Sequence, residues 1–207
     1  MARHTGPKCK LCRREGEKLF LKGTRCHTAK CPMEGRSKPP GMHGWRRRRP
    51  SPYAVRLREK QKCKRYYGVF ERQFRRYFDQ GLSEKGDTGE NLLALLERRL
   101  DNVLTVCGLS LSRAQGRQLV NHGHVQVNGR KVDSPNYLVK EGDVIRPEPK
   151  DSILDLMRSN REETGHPDAG WLEVNDADLT VRVVRLPVRE DVSLELDVGM
   201  VVEFCSR

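Results

Sequence analysis

The apolar positions of this 207-residue chain follow a helical period through its middle and a shorter, strand-like alternation further on. Ser51-Pro52 supplies an N-cap and a first-turn proline for a helix predicted to run to about Tyr67. Tyr53, Leu57 and the stem of Gln61 form its narrow apolar face, and Arg56, Arg58, Lys60, Lys62, Lys64 and Arg65 cover the rest. A second helix, over about residues 70–80, sets Phe70, Phe74, Tyr77 and Phe78 at core spacing and Arg72, Arg75 and Arg76 elsewhere. Those aromatics read as core, not as platforms for base stacking. Residues 88–106 read as one third helix, with Leu92, Leu93, Leu95, Leu96, Leu100, Val103 and Leu104 on a wide apolar face.

The period then shortens. Ser112 caps a short helix with Arg113, Gln115, Arg117, Gln118, Leu119 and Val120, ending near Gly123. His124-Val125-Gln126-Val127 alternates, Asn128-Gly129 predicts a type I′ turn, and Arg130-Lys131-Val132 returns. Tyr137-Leu138-Val139 and Val144-Ile145, around the turn at Glu141-Gly142-Asp143, read as a second pair of strands. Beyond Asp151 a short helix is expected near residues 153–157, a flexible region over 162–170, and strands near 181–184 and 194–200.

Charge sharpens this outline. The chain has 40 Lys/Arg against 28 Asp/Glu, a formal +12. Residues 1–85 hold 25 basic and 7 acidic residues, while residues 86–207 hold 15 and 21. Such asymmetry points to a polyanionic partner. No apolar run approaches the roughly 18 residues of a spanning helix, and neither a signal core nor a lipidation motif is expected, so a membrane is the weaker option. Four consecutive arginines, Arg46, Arg47, Arg48 and Arg49, follow Trp45 after the Pro/Gly-rich linker at 37–44, and read as phosphate contacts. Arg113, Arg117, His124, Arg130 and Lys131 fall within reach of one surface, where basic side chains on rigid elements can read a folded phosphate backbone. His122 and His124 read as hydrogen-bonding surface residues, having no cysteine or acid at ligand spacing.

Cys9, Cys12, Cys26 and Cys31 give a Cys-x-x-Cys pair and, thirteen residues on, a second pair with four residues between. That is the spacing of a closed tetrahedral metal site. Zinc is the expected ion, and an iron–sulfur cluster the alternative that four thiolates also suit. Arg13 and Arg14 stand among several cations around these thiols, so the knuckle reads as a nucleic-acid contact and not an active site. Seven cysteines, an odd number, fit a reduced chain better than a disulfide framework. His27 is read as a bystander, and Cys63, Cys107 and Cys205 as packing residues.

These stretches, taken in order, resemble the bacterial small-subunit ribosomal protein four family nearly end to end. The resemblance is carried by Arg13-Arg14-Glu15-Gly16 beside the cysteines and by Pro39-Pro40-Gly41-Met42-His43-Gly44. It continues through residues 53–62, Glu71-Arg72-Gln73-Phe74-Arg75 and Arg99-Leu100-Asp101-Asn102-Val103. Its most specific part is residues 112–125 with Val127-Asn128-Gly129, the RNA-binding module named after that family. The module brings Gln115, His122 and His124, and the linker brings His43, into the set of expected rRNA contacts.

The expected fold is α+β: the N-terminal metal knuckle read from the cysteines, and then, as the resemblance implies, a helical domain and an RNA-binding domain of short helices and a small antiparallel sheet. Expected boundaries are 1–45 for the basic extension and linker, 46–96 for the helical domain, 97–195 for the RNA module, and 196–207 for a tail returning to the helical domain. The resemblance also implies a non-enzymatic, cytoplasmic constituent of the small ribosomal subunit that binds the 5′ domain of its rRNA and nucleates assembly of the subunit body. Implied partners are neighbouring small-subunit proteins, chiefly the fifth, with which it affects decoding accuracy, and messenger RNA where it enters its channel. No independent homo-oligomer is expected, and some members repress their own message.

Three features depart from the family. Gly116 stands where alanine is usual, which should loosen its helix by about 0.5–1 kcal/mol. Cys205 replaces a usual tyrosine, and Leu196-Asp197-Val198-Gly199-Met200 is atypical, both bearing on the interface made by the C-terminus. Not every member keeps the four cysteines, so the metal rests on these residues and not on the resemblance. Two other functions fit less well. The same module is appended to pseudouridine synthases and a tyrosyl-tRNA synthetase, but no nucleophile–base pair, P-loop or Gly-rich dinucleotide turn is present here. A sequence-specific DNA regulator would need zinc-finger histidines or a dimerisation zipper, and neither pattern occurs.

Overall fold

Helix α1 (Lys8–Glu15) ends on Gly16, whose φ of 82° turns its N–H back to the Cys12 carbonyl. A 3-10 turn over Gly23–His27 and the short α2 (Pro32–Gly35) follow. In this computed structural model the described residues are 4–35, 38–42, 49–167 and 169–206. They fall into two units: residues 1–92 with 194–207, and residues 93–193.

In the first unit, α3 (Pro52–Tyr66) begins as the sequence predicts, with the Ala54 N–H donating to Ser51 Oγ at 3.2 Å. Its buried face differs from expectation. Tyr53 is 59% exposed, whereas Lys60, Lys62, Cys63 and Tyr66 are buried. The face turned because acids and a C-terminal helix, remote in sequence, cover it. That helix, α9 (Val198–Cys205), packs on α3. The Tyr53 and Phe204 rings lie 5.3 Å apart, and Lys60 Nζ sits 4.9 Å from the Phe204 centroid. Residues 194–200 are thus not a strand: Asp197 Oδ1 accepts the Met200 N–H at 3.0 Å and caps α9. Helix α4 (Glu71–Ser83) buries Phe74, Tyr77 and Phe78 but leaves Phe70, just outside it, 41% exposed.

The expected single helix over 88–106 is two, α5 (Thr88–Glu97) and α6 (Leu100–Val106). Arg99 breaks it with an extended ψ of 134° and forms an antiparallel bridge with Leu138. The Leu100 N–H donates to Tyr137 O and the Val139 N–H to Arg98 O, each at 2.9 Å, so the backbone groups freed by the break are satisfied. Asn102 Nδ2 caps the Glu97 carbonyl at 2.9 Å, and Arg99 pairs with Asp101 out of solvent. Residues 137–139 therefore serve this bridge instead of pairing with 144–145.

The second unit continues with α7 (Arg113–Asn121), which packs against α6 and is capped by Ser112 Oγ. The hairpin β1 (Val125–Val127) and β2 (Arg130–Lys131) turns through Asn128 and Gly129 at φ 50° and 75°, as a type I′ turn requires. β3 (Val144–Pro147), β4 (Leu172–Asn175) and β5 (Thr180–Val183) complete an antiparallel sheet in the order β2-β1-β3-β5-β4. Val125, Val127, Ile145, Val181 and Val183 turn inward onto Leu100, Val103, Leu104, Leu119, Val120, Met157 and Trp171. Gln126, Arg146 and Arg182 alternate with them and face the other way. Helix α8 (Asp151–Thr164) is far longer than predicted and takes in the first three residues of the segment expected to be flexible. Asn160 Nδ2 and Arg161 Nη1 hold it to the carbonyls of Leu109 and Cys107 at 3.0 and 2.6 Å.

Candidate nucleic-acid interface and cysteine cluster

Cys9 and Cys12 sit one turn apart on α1. Cys26 lies in the 3-10 turn and Cys31 just before α2. All four line one small cavity with Leu21, Lys22 and Met33, and all seven cysteines of the chain are free thiols. Burial pushes the Cys12 and Cys26 thiols up, and the charges of the neighbouring thiolates push in the same direction. A soft cation would relieve both effects. Among the described residues no group of three or more His, Cys, Asp or Glu is gathered as a metal would require. His27 stacks on Phe20, ring centroids 4.9 Å apart.

The cations of α3 do not form the outward basic face that the sequence suggested. Lys60 and Lys64 both pair with Glu71, Lys62 with Glu17 at 2.7 Å, Arg58 and Arg65 with Glu15, and Arg56 with Glu203. Lys60 and Lys62 are buried. Such pairs tie the helix to α1, α4 and α9 and are already neutralised. Arg13 donates its Nε to the Lys38 carbonyl at 2.9 Å, and Arg14 is exposed.

Helix α4 supplies the uncommitted charge. Arg72, Arg75 and Arg76 are exposed, with no ion pair among the described residues, while the aromatics of the same helix point inward. Arg49 is also exposed, and His43, Arg46, Arg47 and Arg48 lie outside the described residues.

In the second unit the five cations expected on one surface separate. Arg117 is 8% exposed and 3.6 Å from Asp101, so it belongs to the buried network below α7. Burial raises the Asp101 carboxyl, against the opposing charges of Arg99, Arg117 and Arg113. Arg113 Nε donates to Asn102 Oδ1 at 2.7 Å, and Gln115 Oε1 accepts the Leu111 N–H at 2.7 Å. Arg130, Lys131 and His122 are exposed, and His124 is half-buried with its ring 5.9 Å from that of His122.

Sequence reading missed Glu148, which touches His124, Lys131 and Lys150. It also missed Arg146 and Arg182 on the exposed sheet face. The alternation of Val144-Ile145-Arg146-Pro147 holds the signal for Arg146 once the strand is known. The surface can therefore present several cations on rigid elements, as recognition of a folded phosphate backbone requires.

The family described as Ribosomal protein S4/S9 N-terminal domain matches residues 3–97, and the S4 domain matches residues 98–145. The chain is 52% identical over 208 residues to a protein of Acetivibrio thermocellus named small ribosomal subunit protein uS4, covering all of both chains. It is likewise 52% identical over 209 residues to the uS4 of Thermus thermophilus, and 50% identical over 207 residues to the uS4A of Symbiobacterium thermophilum, again over the full length of each.

Proposed function

Since this chain belongs to the uS4 family of small ribosomal subunit proteins, we propose that it is a primary binder of the 5′ domain of small-subunit rRNA, nucleating assembly of the subunit body. Its role is structural, without catalysis. The observation that carries the reading is the full-length likeness to uS4 proteins in a chain whose uncommitted cations stand on rigid elements. Arg72, Arg75 and Arg76 on α4 neutralise phosphates, and so does the run Arg46, Arg47, Arg48 and Arg49. His122, His124, Arg130 and Lys131 add the shape fit at the end of α7 and its hairpin.

The partners follow from membership. The fifth small-subunit protein is the expected neighbour, with an effect on decoding accuracy, and messenger RNA passes nearby. Cys9, Cys12, Cys26 and Cys31 are the ligands of a structural zinc, with an iron–sulfur cluster as the alternative. Their donor chemistry is all thiol and their shared cavity supports the assignment. Such an ion would staple α1 to the loop that follows and supply no catalysis.

The test is binding of the purified protein to a 5′-domain rRNA fragment, against an unrelated folded RNA, across a salt series. Preference for the rRNA that survives rising salt supports the reading. Equal affinities that collapse together would reduce the chain to a generic polycation.

A further inference from the structure

Lys131 lies on a two-residue strand at a hairpin edge, where a lysine is ordinarily a loose, solvated charge. Here two features hold it. Its stem occupies the notch left by the missing side chain of Gly123: a Cβ there would lie 2.1 Å from Lys131 Cε. Its ammonium lies 3.7 Å from Glu148 Oε1. The other oxygen of the same carboxylate accepts from His124 Nδ1 at 3.0 Å and lies 3.4 Å from Lys150 Nζ. The Glu148 N–H also donates to the His124 carbonyl at 2.9 Å, so backbone and side chain fix the pair together.

The exposures divide the roles. The Glu148 side chain is 17% exposed, whereas Lys131 and Lys150 are 57% and 56% exposed. The carboxylate is recessed and the two ammonium groups stand outside it. Each ammonium carries three N–H donors and needs only one for Glu148. Without the carboxylate, the two lysine ammonium groups beside it would repel one another and spread. With it, both ammonium groups are drawn to one carboxylate, at 3.7 and 3.4 Å, on side chains that remain exposed, and His124 completes the set.

We propose that Glu148 is a positioning residue for RNA binding, gathering Lys131, Lys150 and His124 into one grip for a single backbone phosphate. The inference rests on the rRNA-binding reading above. It runs against simple charge counting, because removing an acid from a basic surface ordinarily tightens binding to any polyanion.

The experiment uses the full chain and the same two RNAs. Glu148→Gln raises the net charge by one and nearly preserves shape. The expected result is about a fivefold loss of affinity for the 5′-domain fragment, with binding to the unrelated RNA unchanged or tighter. Glu148→Asp keeps the charge but shortens the reach, and is expected to lie between. In a Lys131→Met background the Gln substitution should cost less than it does in the wild type, since Glu148 then has less to position. A melting curve separates these effects from misfolding, and the Asp variant serves if the Gln variant does not fold. Tighter binding of Glu148→Gln to both RNAs, or full additivity with Lys131→Met, overturns the proposal. A wild-type chain that fails to prefer the rRNA fragment overturns the rRNA reading itself, a different result in a different sample.

Discussion

A Cβ added to Gly116 would lie 2.7 Å from the carbonyl oxygen of Asp101 and 2.9 Å from Ser110 Oγ, so α7 approaches α6 more closely than a side chain at this position allows. The glycine that looked like a helix-weakening departure is what the packing uses. Gly116→Ala gains about 0.5–1 kcal/mol in helix propensity but must push a backbone carbonyl aside, at about 1–3 kcal/mol. Net destabilisation is expected in urea unfolding. A more stable alanine variant would show that the two helices part freely.

The exposed and committed cations should behave differently. Replacing Arg72, Arg75 and Arg76 with alanine should shrink the salt slope of rRNA binding by about 0.7–0.9 for each phosphate no longer neutralised, with little change in melting temperature. Lys62→Met should do the reverse. It removes a buried partner of Glu17, lowering stability by about 1 kcal/mol and leaving the slope alone.

If the proposed metal is bound at the four cysteines, chelation should disorder residues 1–35 while the remainder stays folded. Amide exchange resolved along the chain reads this directly. Cooperative loss of the whole first unit would instead make the cluster integral to its core.

Arg185 grips Asp191 through two bonds, Nη1 to Oδ2 at 2.6 Å and Nη2 to Oδ1 at 2.8 Å. These bonds hold the Asp191 carboxyl below its ordinary value, against the opposing effect of burial. A folded value below the unfolded one means the pair stabilises the fold above the ordinary aspartate range, and this is lost as pH falls through the depressed value. Asp191→Asn should lower the melting temperature at neutral pH and weaken its decline on acidification. An unchanged pH profile would remove the pair from the stability balance.

Glu15 carries the opposite sign. Its side chain is 1% exposed, Oε2 has no hydrogen-bond partner among the described residues, and burial lifts its carboxyl above the ordinary value despite Arg65 and Arg58. Its ionisation therefore opposes folding as pH rises from the unfolded glutamate value through the raised one. Glu15→Gln should flatten that part of the stability profile, measured by melting from pH 4 upward in steps of about one unit. A profile unaffected by the substitution would mean that Glu15 titrates as it does in the unfolded chain.

Local chemistry was legible in the sequence. Ser51 and Ser112 cap the helices they precede, and Asn128-Gly129 adopts the positive φ values its turn demands. Phe74, Tyr77 and Phe78 occupy the core their spacing implies. Each of these outcomes depends on residues within about one turn of one another. The break at Arg99 was not legible, because the groups that satisfy it lie at Pro135, Tyr137 and Val139. Nor was the length of α8, whose last turns are anchored by carbonyls at Cys107 and Leu109.

The sequence by itself determined the family, the charge asymmetry, the cysteine spacing and most helix starts, because these need only composition and neighbouring residues. Tertiary structure alone decided which cations are available. A lysine is basic wherever it stands, but Lys60 and Lys62 are sealed in by Glu71 and Glu17, whereas Lys131 is held outward by Gly123 and Glu148. Whether a charge meets a partner within the fold or one outside it depends on which chain segments the core brings together, and those segments are distant in sequence.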